Sequence, residues 1–293
     1  MNNTFFSIVI PNYNSKYLYR TLESLKKQTF TNWEAIVVDN NSNYNADAII
    51  SNYNDDRFKL YRIENKGIIA KSRNFGILKS TSEYIFFLDS DDWWKPEKLS
   101  ILRDFIKLNK ADIIYHDMHV VSEGRKKIVK GKSMHYNNDF YLNILKFGNP
   151  IFNSSICITK EILNKVNNLS EEIEKVSWED FDLILKCAYL NCNILKINEY
   201  LGYYWIDKNN TTNTEQTLKN INNIKKYYID TNKFFLNKQP WWLNSLLLKT
   251  NLKKKLYDQN IQILKNTVCY TFFHQVKWFY FLIKTKILKY IND

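Results

Sequence analysis

The stretch YIFFLDSDD, residues 84–92, joins five apolar or aromatic residues to three carboxylates within four positions. A short apolar run that ends at polar residues is typical of a strand buried inside a sheet. Three carboxylates this close together repel one another unless a cation neutralises them, and their hard oxygen atoms suit Mg²⁺ or Mn²⁺. The stretch therefore predicts a buried strand followed by a metal-binding loop. The alternative is a solvated acidic turn that caps a helix beginning near Pro96.

Similar apolar runs occur upstream, at residues 7–10 and 35–38, and each ends in a polar segment. Helical spacing of leucines fills residues 17–28 between them, and a second helical pattern covers residues 68–78. Strands and helices in alternation predict an α/β fold, with a mainly parallel sheet covered by helices on both faces. In such sheets ligands bind beyond the carboxyl ends of the strands. We therefore expect the polar segments to converge on one crevice.

The positive charge is concentrated at one end of the chain. The 293 residues carry a net charge of +12, and residues 213–293 hold 14 lysines against four carboxylates. Residues 1–212 are therefore nearly neutral, and beyond them the pattern turns helical and aromatic with no clear strand. We predict an α/β catalytic domain over residues 1–212 and a basic, aromatic-rich helical extension over residues 213–293. Charge restricted to the extension indicates contact with an anionic surface, not a basic catalytic cleft.

The composition is that of a globular protein, with 45% hydrophobic and 25% charged residues. No apolar run approaches the roughly 18 residues that a membrane span requires, and no secretory signal precedes the first predicted strand. The four cysteines have no paired metal-ligand spacing and are expected to be buried thiols of a reducing compartment. These features predict a cytoplasmic location.

Five segments of the chain, taken in order, resemble family 2 of the inverting glycosyltransferases, which have the GT-A fold. They are residues 7–14 (SIVIPNYN), 37–42 (VVDNNS), 70–76 (AKSRNFG), 87–92 (FLDSDD) and 178–182 (WEDFD). Each segment alone is a weak signal because short motifs match by chance, but five in the family's order are specific. The resemblance covers residues 6 to about 207 and implies a Rossmann-like GT-A domain that uses a nucleotide-sugar.

The resemblance also implies which residues hold the donor and its metal. Asp91 would bind the cation that bridges the diphosphate. Asp207 stands where many members have a metal-binding His, and an aspartate is also a competent ligand of a hard cation. The predicted nucleotide-sugar-binding residues are Pro11, Asn12, Tyr13, Asp39, Asn40, Arg73, Asp89 and Ser90. Asn40 replaces a second acid that many members carry, and for Arg73 the alternative is a charge pair on a helix surface.

The catalytic base is expected in residues 178–182. Inverting transfer needs a carboxylate that removes the proton of the acceptor hydroxyl. Asp180 fits that position of the family's Glu-Asp motif, and Glu179 is the next candidate. The alternative is structural, because acids in the first turn of a helix are favoured by the helix dipole.

Three tryptophans flank the acidic segments. Trp93 and Trp94 directly follow the predicted metal loop, and Trp178 precedes the Glu-Asp pair. Aromatic faces stack on sugar rings, which makes these residues candidates for contact with the acceptor. Ordinary core packing is the alternative for each, since indoles are also common core residues.

The end of the chain mixes aromatic residues with lysines over residues 268–291. Helices of this composition suit the surface of an anionic bilayer. The alternative is a helical cap that packs on the catalytic domain and exposes a lysine-rich face. The same helices can also do both, packing on the catalytic domain and binding an anionic bilayer.

With the family resemblance, these features predict a transferase that depends on Mn²⁺ or Mg²⁺. It would move a hexose or N-acetylhexosamine from a UDP-sugar to a growing bacterial surface glycan, such as lipooligosaccharide or capsule. Its acceptor would be a glycan or glycolipid, its place the inner face of the cytoplasmic membrane, and no nucleic acid is expected. The rival is a non-catalytic basic protein that binds a membrane or nucleic acid and carries a silent nucleotide-binding domain. That rival leaves the acidic residues at the strand ends unexplained.

Overall fold

The computed structural model describes residues 5–124, 127–136, 138–207, 214–235 and 239–292. By their internal contacts these residues form two compact units. The first unit comprises Met1–His135 and Ile151–Thr211, and the second comprises Tyr136–Pro150 and Thr212–Asp293.

The strands, in chain order, are β1 (Phe6–Asn12), β2 (Trp33–Asp39), β3 (Phe58–Arg62), β4 (Tyr84–Phe87), β5 (Trp93–Trp94), β6 (Ile113–Ser122), β7 (Val129–Gly131), β8 (Cys157–Thr159), β9 (Ile194–Ile206), β10 (Gln239–Pro240) and β11 (Thr267–Val268). The helices, in chain order, are α1 (Leu18–Lys26), α2 (Ala46–Ser51), α3 (Ile69–Lys79), α4 (Lys98–Leu108), α5 (Phe140–Phe147), α6 (Lys160–Lys165), α7 (Glu179–Tyr189), α8 (Thr214–Ile224), α9 (Trp241–Lys253), α10 (Tyr257–Lys265) and α11 (Phe272–Asn292). Short 3-10 turns lie at Asn153–Ser155, Ile173–Lys175 and Lys233–Phe235, and a π-helical turn lies at Lys225–Ile229.

Strands β1 to β9 form one sheet in the order β3-β2-β1-β4-β8-β6-β9-β5, with β7 paired to β6. Strands β3, β2, β1 and β4 pair in parallel with one another, and β6 pairs in parallel with β9. Strand β7 is antiparallel to β6, and β5 is antiparallel to β9. Strand β8 is antiparallel to both of its neighbours. The prediction of a mainly parallel sheet is confirmed.

Both faces of the sheet are covered by helices, as predicted. Phe6, Ile8 and Ile10 of β1 lie on one face, in a buried cluster with leucines of α1 and α4. Val9 lies on the other face, where Gly76 of α3 approaches so closely that an added Cβ would overlap the valine side chain. A strand buried on both sides reads as a continuous apolar run, which is why β1 is visible in the sequence.

The register of the sheet brings the polar strand ends together. Asn12 at the end of β1 is paired with Asp39 at the end of β2. On the other side of β1, Val9 is paired with Phe87 at the end of β4, and the backbone NH of Leu88 donates to the Val9 carbonyl. The acidic residues that follow Leu88 therefore begin beside the end of β1.

The second unit is mainly helical. Helices α9, α10 and α11 enclose a small core of Trp241, Leu248, Leu264 and Phe281. Strands β10 and β11, of two residues each, pair in parallel, where the sequence indicated no clear strand.

Helix α5 belongs to the second unit, although the sequence-based boundary assigned it to the first domain. The indole NH of Trp242 in α9 donates to the carbonyl of Leu145 in α5 at 2.7 Å, a contact between residues 97 positions apart. The predicted boundary at residues 212/213 lies outside the described residues. Within the described ranges, no helix combines the length and apolar character needed to cross a membrane.

Candidate active site

A cavity of about 610 Å³ lies beyond the carboxyl ends of β1 and β4. Its lining includes all but one of the residues predicted to bind the nucleotide-sugar or metal: Pro11, Asn12, Tyr13, Asn40, Arg73, Asp89, Ser90, Asp91 and Asp207. A second cavity, of about 270 Å³, is lined by Glu179 and Asp180. Arg73, Asp89 and Tyr204 line both cavities. The structure therefore brings the two predicted sites next to each other.

Asp39 is the predicted nucleotide-binding residue that does not line the cavity. It is 1% exposed, and one of its carboxylate oxygens accepts hydrogen bonds from the side chains of Asn12 at 2.6 Å and Ser42 at 2.6 Å. The other oxygen accepts from the Ser42 backbone NH at 3.0 Å. Asp39 thus fixes the two turns that follow β1 and β2, and Asn40 is the residue of the second turn that reaches the cavity.

The three carboxylates of the acidic loop have separate environments. Asp92 is fully buried and accepts a hydrogen bond from the Trp205 backbone NH at 2.7 Å; burial and the neighbouring carboxylates Asp89 and Asp91 raise its pKa well above the usual value. Asp89 pairs with Arg73 at 2.8 Å. Asp91 lines the first cavity. Of the three, Asp89 and Asp91 therefore line the first cavity, and Asp92 does not.

Arg73 joins the two acidic segments. The residue is 4% exposed, and its guanidinium donates to Asp89 at 2.8 Å and to Glu179 at 2.7 Å. Burial alone would lower its pKa, but the two carboxylates outweigh burial and raise it. Arg73 is therefore a permanent cation inside the site. It is a buried bridge between two carboxylates, so the alternative of a surface charge pair is wrong.

Glu179 is held in this ion pair and is 4% exposed. One oxygen of its carboxylate already accepts a hydrogen bond from the Arg73 guanidinium at 2.7 Å. Asp182 is likewise buried, within 3.2 Å of Lys175 and 3.5 Å of Lys186. Both residues therefore stabilise the segment around α7, and the geometry does not favour Glu179 as the alternative base.

Asp180 is partly exposed and lines the second cavity. Burial and the neighbouring Glu179 carboxylate raise its pKa to about 6, against the opposing effect of Arg73. Ser177, three positions earlier, lines the same cavity with a left-handed φ of 72°. Backbone strain of this kind concentrates at functional sites. A carboxylate with a pKa near neutrality can accept a proton and still be ionised at physiological pH.

The three tryptophans do not share one environment. Trp94 and Trp178 are 2% and 3% exposed, and their indole NH groups donate to the carbonyls of Ser154 and Glu174. Neither has a ring face available for a sugar, so the prediction of acceptor contact is wrong for these two residues. Trp93 is half-buried and stacks on Tyr203 with ring centroids 4.9 Å apart.

Two further residues shape the site. Arg20 of α1 donates to the Asp91 carbonyl at 2.6 Å, and its guanidinium lies 3.8 Å from the Trp93 ring centroid and 4.6 Å from that of Trp205. No motif links Arg20 to residues so distant in the sequence, so pattern analysis could not find it. Tyr204 lines both cavities, and its place three residues before Asp207, a predicted metal ligand, was the signal for it.

Comparison with known proteins identifies the family of this chain. A family model described as glycosyl transferase family 2 matches residues 7–166. An uncharacterized glycosyltransferase of Haemophilus influenzae is 31% identical over 234 residues, which is 77% of each chain. The UDP-Glc:alpha-D-GlcNAc-diphosphoundecaprenol beta-1,3-glucosyltransferase WfgD of Escherichia coli is 29% identical over 140 residues, 47% of this chain and 55% of that enzyme.

A solved structure shares the fold. The crystal structure of Staphylococcus aureus TarS 1-349 in complex with UDP-GlcNAc superposes with a TM-score of 0.60 at 22% identity, over 84% of this chain and 80% of that one. The predicted GT-A fold is thereby confirmed. Since the family model spans more than half of the sequence, this chain belongs to glycosyltransferase family 2 and is a glycosyltransferase.

Proposed function

We propose that this enzyme is a metal-dependent, inverting glycosyltransferase that moves a hexose or N-acetylhexosamine from a UDP-sugar to a hydroxyl group of a bacterial surface glycan. One observation carries the proposal: a cavity lined by Asp91 adjoins a cavity lined by Asp180, and Arg73, Asp89 and Tyr204 line both. The first cavity would hold the nucleotide diphosphate and the second the acceptor hydroxyl.

Asp180 would act as the general base. Its carboxylate would take the proton of the acceptor hydroxyl while the oxygen attacks the anomeric carbon of the donor. The bond from that carbon to the diphosphate oxygen would break, and its electron pair would leave with the nucleoside diphosphate. Attack from the side opposite the leaving group inverts the anomeric centre. Arg73 would remain charged throughout and stabilise the negative charge that develops on the leaving group.

The residues of the first cavity fit a divalent cation. Asp91 and Asp207 both line it, and carboxylate oxygens are ligands that Mg²⁺ and Mn²⁺ prefer. Among the residues that the structure describes, no three His, Cys, Asp or Glu side chains converge on one point. Phosphate oxygens of the donor would therefore have to complete the ligand set, which is the usual mode for Mg²⁺ in nucleotide sites. When bound, the cation would stabilise the departing diphosphate.

The named relatives support the donor and acceptor classes. The E. coli enzyme acts, by its name, with UDP-Glc on a diphosphoundecaprenol-linked sugar, and the S. aureus neighbour was solved with UDP-GlcNAc. We extend both features to this chain: a uridine diphosphate donor, and a glycan or lipid-linked glycan acceptor at the inner face of the cytoplasmic membrane. The aligned part covers only about half of the E. coli enzyme, so its linkage is not carried over.

A donor screen by calorimetry tests this function. Purified full-length protein would be titrated with UDP, UDP-glucose, UDP-GlcNAc and, as the control, GDP, each with and without Mn²⁺. We expect the uridine nucleotides to bind and Mn²⁺ to tighten their binding, while GDP binds more weakly. Equal affinity for GDP would contradict the donor assignment, and affinity unaffected by Mn²⁺ or Mg²⁺ would contradict the metal assignment.

A further inference from the structure

Helix α11 has an apolar stripe on each of two opposite sides. The first stripe packs inside the second unit, where Phe281 and Thr285 are buried and the Trp278 indole NH donates to the Leu264 carbonyl of α10 at 2.9 Å. Residues 278, 281 and 285 recur at intervals of three and four, so they share one side of the helix. This side accounts for the packing of α11 on α9 and α10.

The opposite side is also apolar, but it is exposed. We call it the outer face of α11; its residues are 43–87% exposed and are Phe272, Val276, Phe279, Ile283, Ile287 and Tyr290. They too recur at intervals of three and four, so they form one continuous stripe. At 1.5 Å per residue the stripe is about 27 Å long. Soluble proteins rarely expose a continuous apolar strip of this size unless it binds a partner.

Positive charge on both sides of the outer face indicates an anionic partner. Lys277 and Lys284 flank the stripe on one side, and Lys286 flanks it on the other. Helix α11 contains no aspartate or glutamate. Lysine stems can lie along an apolar surface while their ammonium groups reach outward. An apolar centre with basic margins complements a bilayer surface that carries anionic headgroups above acyl chains.

A second copy of the chain fits this face less well. In a two-fold symmetric contact, the same face meets itself, so the flanking lysines of one α11 would lie beside those of the other. Neither helix offers a carboxylate to balance them. Like charges at the edge of a contact oppose association, whereas anionic headgroups attract them.

We propose that the outer face of α11 docks on an anionic membrane surface, with the helix lying in the plane of the interface. The inference deepens the proposed function, since a lipid-linked acceptor would lie in the same membrane. It does not depend on which sugar is transferred.

Co-sedimentation of the full-length chain with vesicles tests the proposal. Vesicles of phosphatidylcholine with phosphatidylglycerol would be compared with phosphatidylcholine alone, at low and high salt. The first variant replaces two residues of the outer face, Phe279→Ser with Ile283→Ser, and its matched control is Leu108→Ser, an exposed leucine of α4. We expect the double variant to bind the anionic vesicles at least about tenfold more weakly, and Leu108→Ser to bind like the wild type.

The second variant tests the charge. Lys284→Gln with Lys286→Gln should weaken binding at low salt by about thirtyfold, since each lysine near an anionic surface contributes about fivefold. The control, Lys253→Gln with Lys254→Gln, removes the same charge at the end of α9 and should change binding much less. High salt should release the wild type, because exposed charges are then screened.

Two outcomes would overturn the proposal. The wild type could ignore anionic vesicles at low salt, or sedimentation velocity could give a dimer that Phe279→Ser with Ile283→Ser converts to a monomer. The affinity for UDP, measured by calorimetry on the same proteins, distinguishes a failure of this proposal from a failure of the proposed function. If the wild type binds UDP but not vesicles, only the membrane role of the outer face of α11 is refuted. If the wild type does not bind UDP, the donor site is refuted instead.

Discussion

The acidic loop 89–92 and the segment 178–182 place the same residue types in different surroundings. Asp91 of the loop lines the first cavity, and Asp180 of the segment lines the second. In each, a second carboxylate pairs with the same guanidinium, that of Arg73. In the segment, however, burial and the neighbouring Glu179 carboxylate raise the pKa of Asp180 to about 6. In the proposed function, proton transfer would therefore fall to Asp180 and cation binding to Asp91.

A substitution of Asp180, the proposed base, should have the largest effect on turnover. Asp180→Asn keeps the shape of the side chain but removes its ability to accept a proton. Turnover should fall by about 10²–10⁴-fold, the usual contribution of a general base, while the affinity for UDP stays within about twofold. Steady-state kinetics and calorimetry on the same preparation measure both. The control is Asp104→Asn, an exposed carboxylate of α4, and near-normal turnover in Asp180→Asn would show that the base lies elsewhere.

The shared guanidinium can be tested through stability. Arg73→Met leaves Asp89 and Glu179 without their common partner, and removing one member of a buried ion pair is strongly destabilising. We expect the free energy of unfolding to fall by about 3 kcal/mol, measured by denaturant titration. Arg103→Met breaks an exposed pair with Asp104 and should lower the free energy of unfolding far less, because exposed ion pairs contribute little. Equal losses in the two variants would mean that the Arg73 bridge contributes no special stability.

The pH dependence sharpens the assignment of the base. Because Asp180 must be ionised to accept a proton and its pKa is raised to about 6, kcat/KM should fall as the pH drops through 6. Below that value the loss approaches about tenfold per pH unit. An ordinary aspartate has a pKa of about 3.9, so a profile that stays flat down to about pH 4.5 would contradict the raised pKa.

The sequence predicts the fold well because its decisive signals are local. Apolar runs buried on both faces mark β1, β2 and β4, and the polar residues after them mark the crevice. The same patterns could not predict that Asp39 is buried or that Glu179 is an ion-pair partner. Those outcomes depend on contacts between distant residues: Arg73 and Glu179 are 106 positions apart.

The burial of Trp94 and Trp178, and the grouping of α5 with the second unit, were missed for the same reason. An indole beside an acidic motif has the same local pattern whether its NH binds a backbone carbonyl or its ring faces a sugar. Helix α5 lies in sequence between strands of the sheet, yet Trp242 of α9 holds it. Only tertiary contacts distinguish these cases.

The central claim is that Asp91 binds the cation whereas Asp180 acts as the base. Calorimetry of UDP binding with and without Mn²⁺ tests this claim most directly. Wild type, Asp91→Asn and Asp180→Asn would be measured side by side. The account predicts that Mn²⁺ tightens UDP binding about tenfold or more in the wild type and in Asp180→Asn, because a cation held by Asp91 would attract the phosphate oxygens of UDP. It predicts no effect of Mn²⁺ in Asp91→Asn. Undiminished tightening by Mn²⁺ in Asp91→Asn would contradict it.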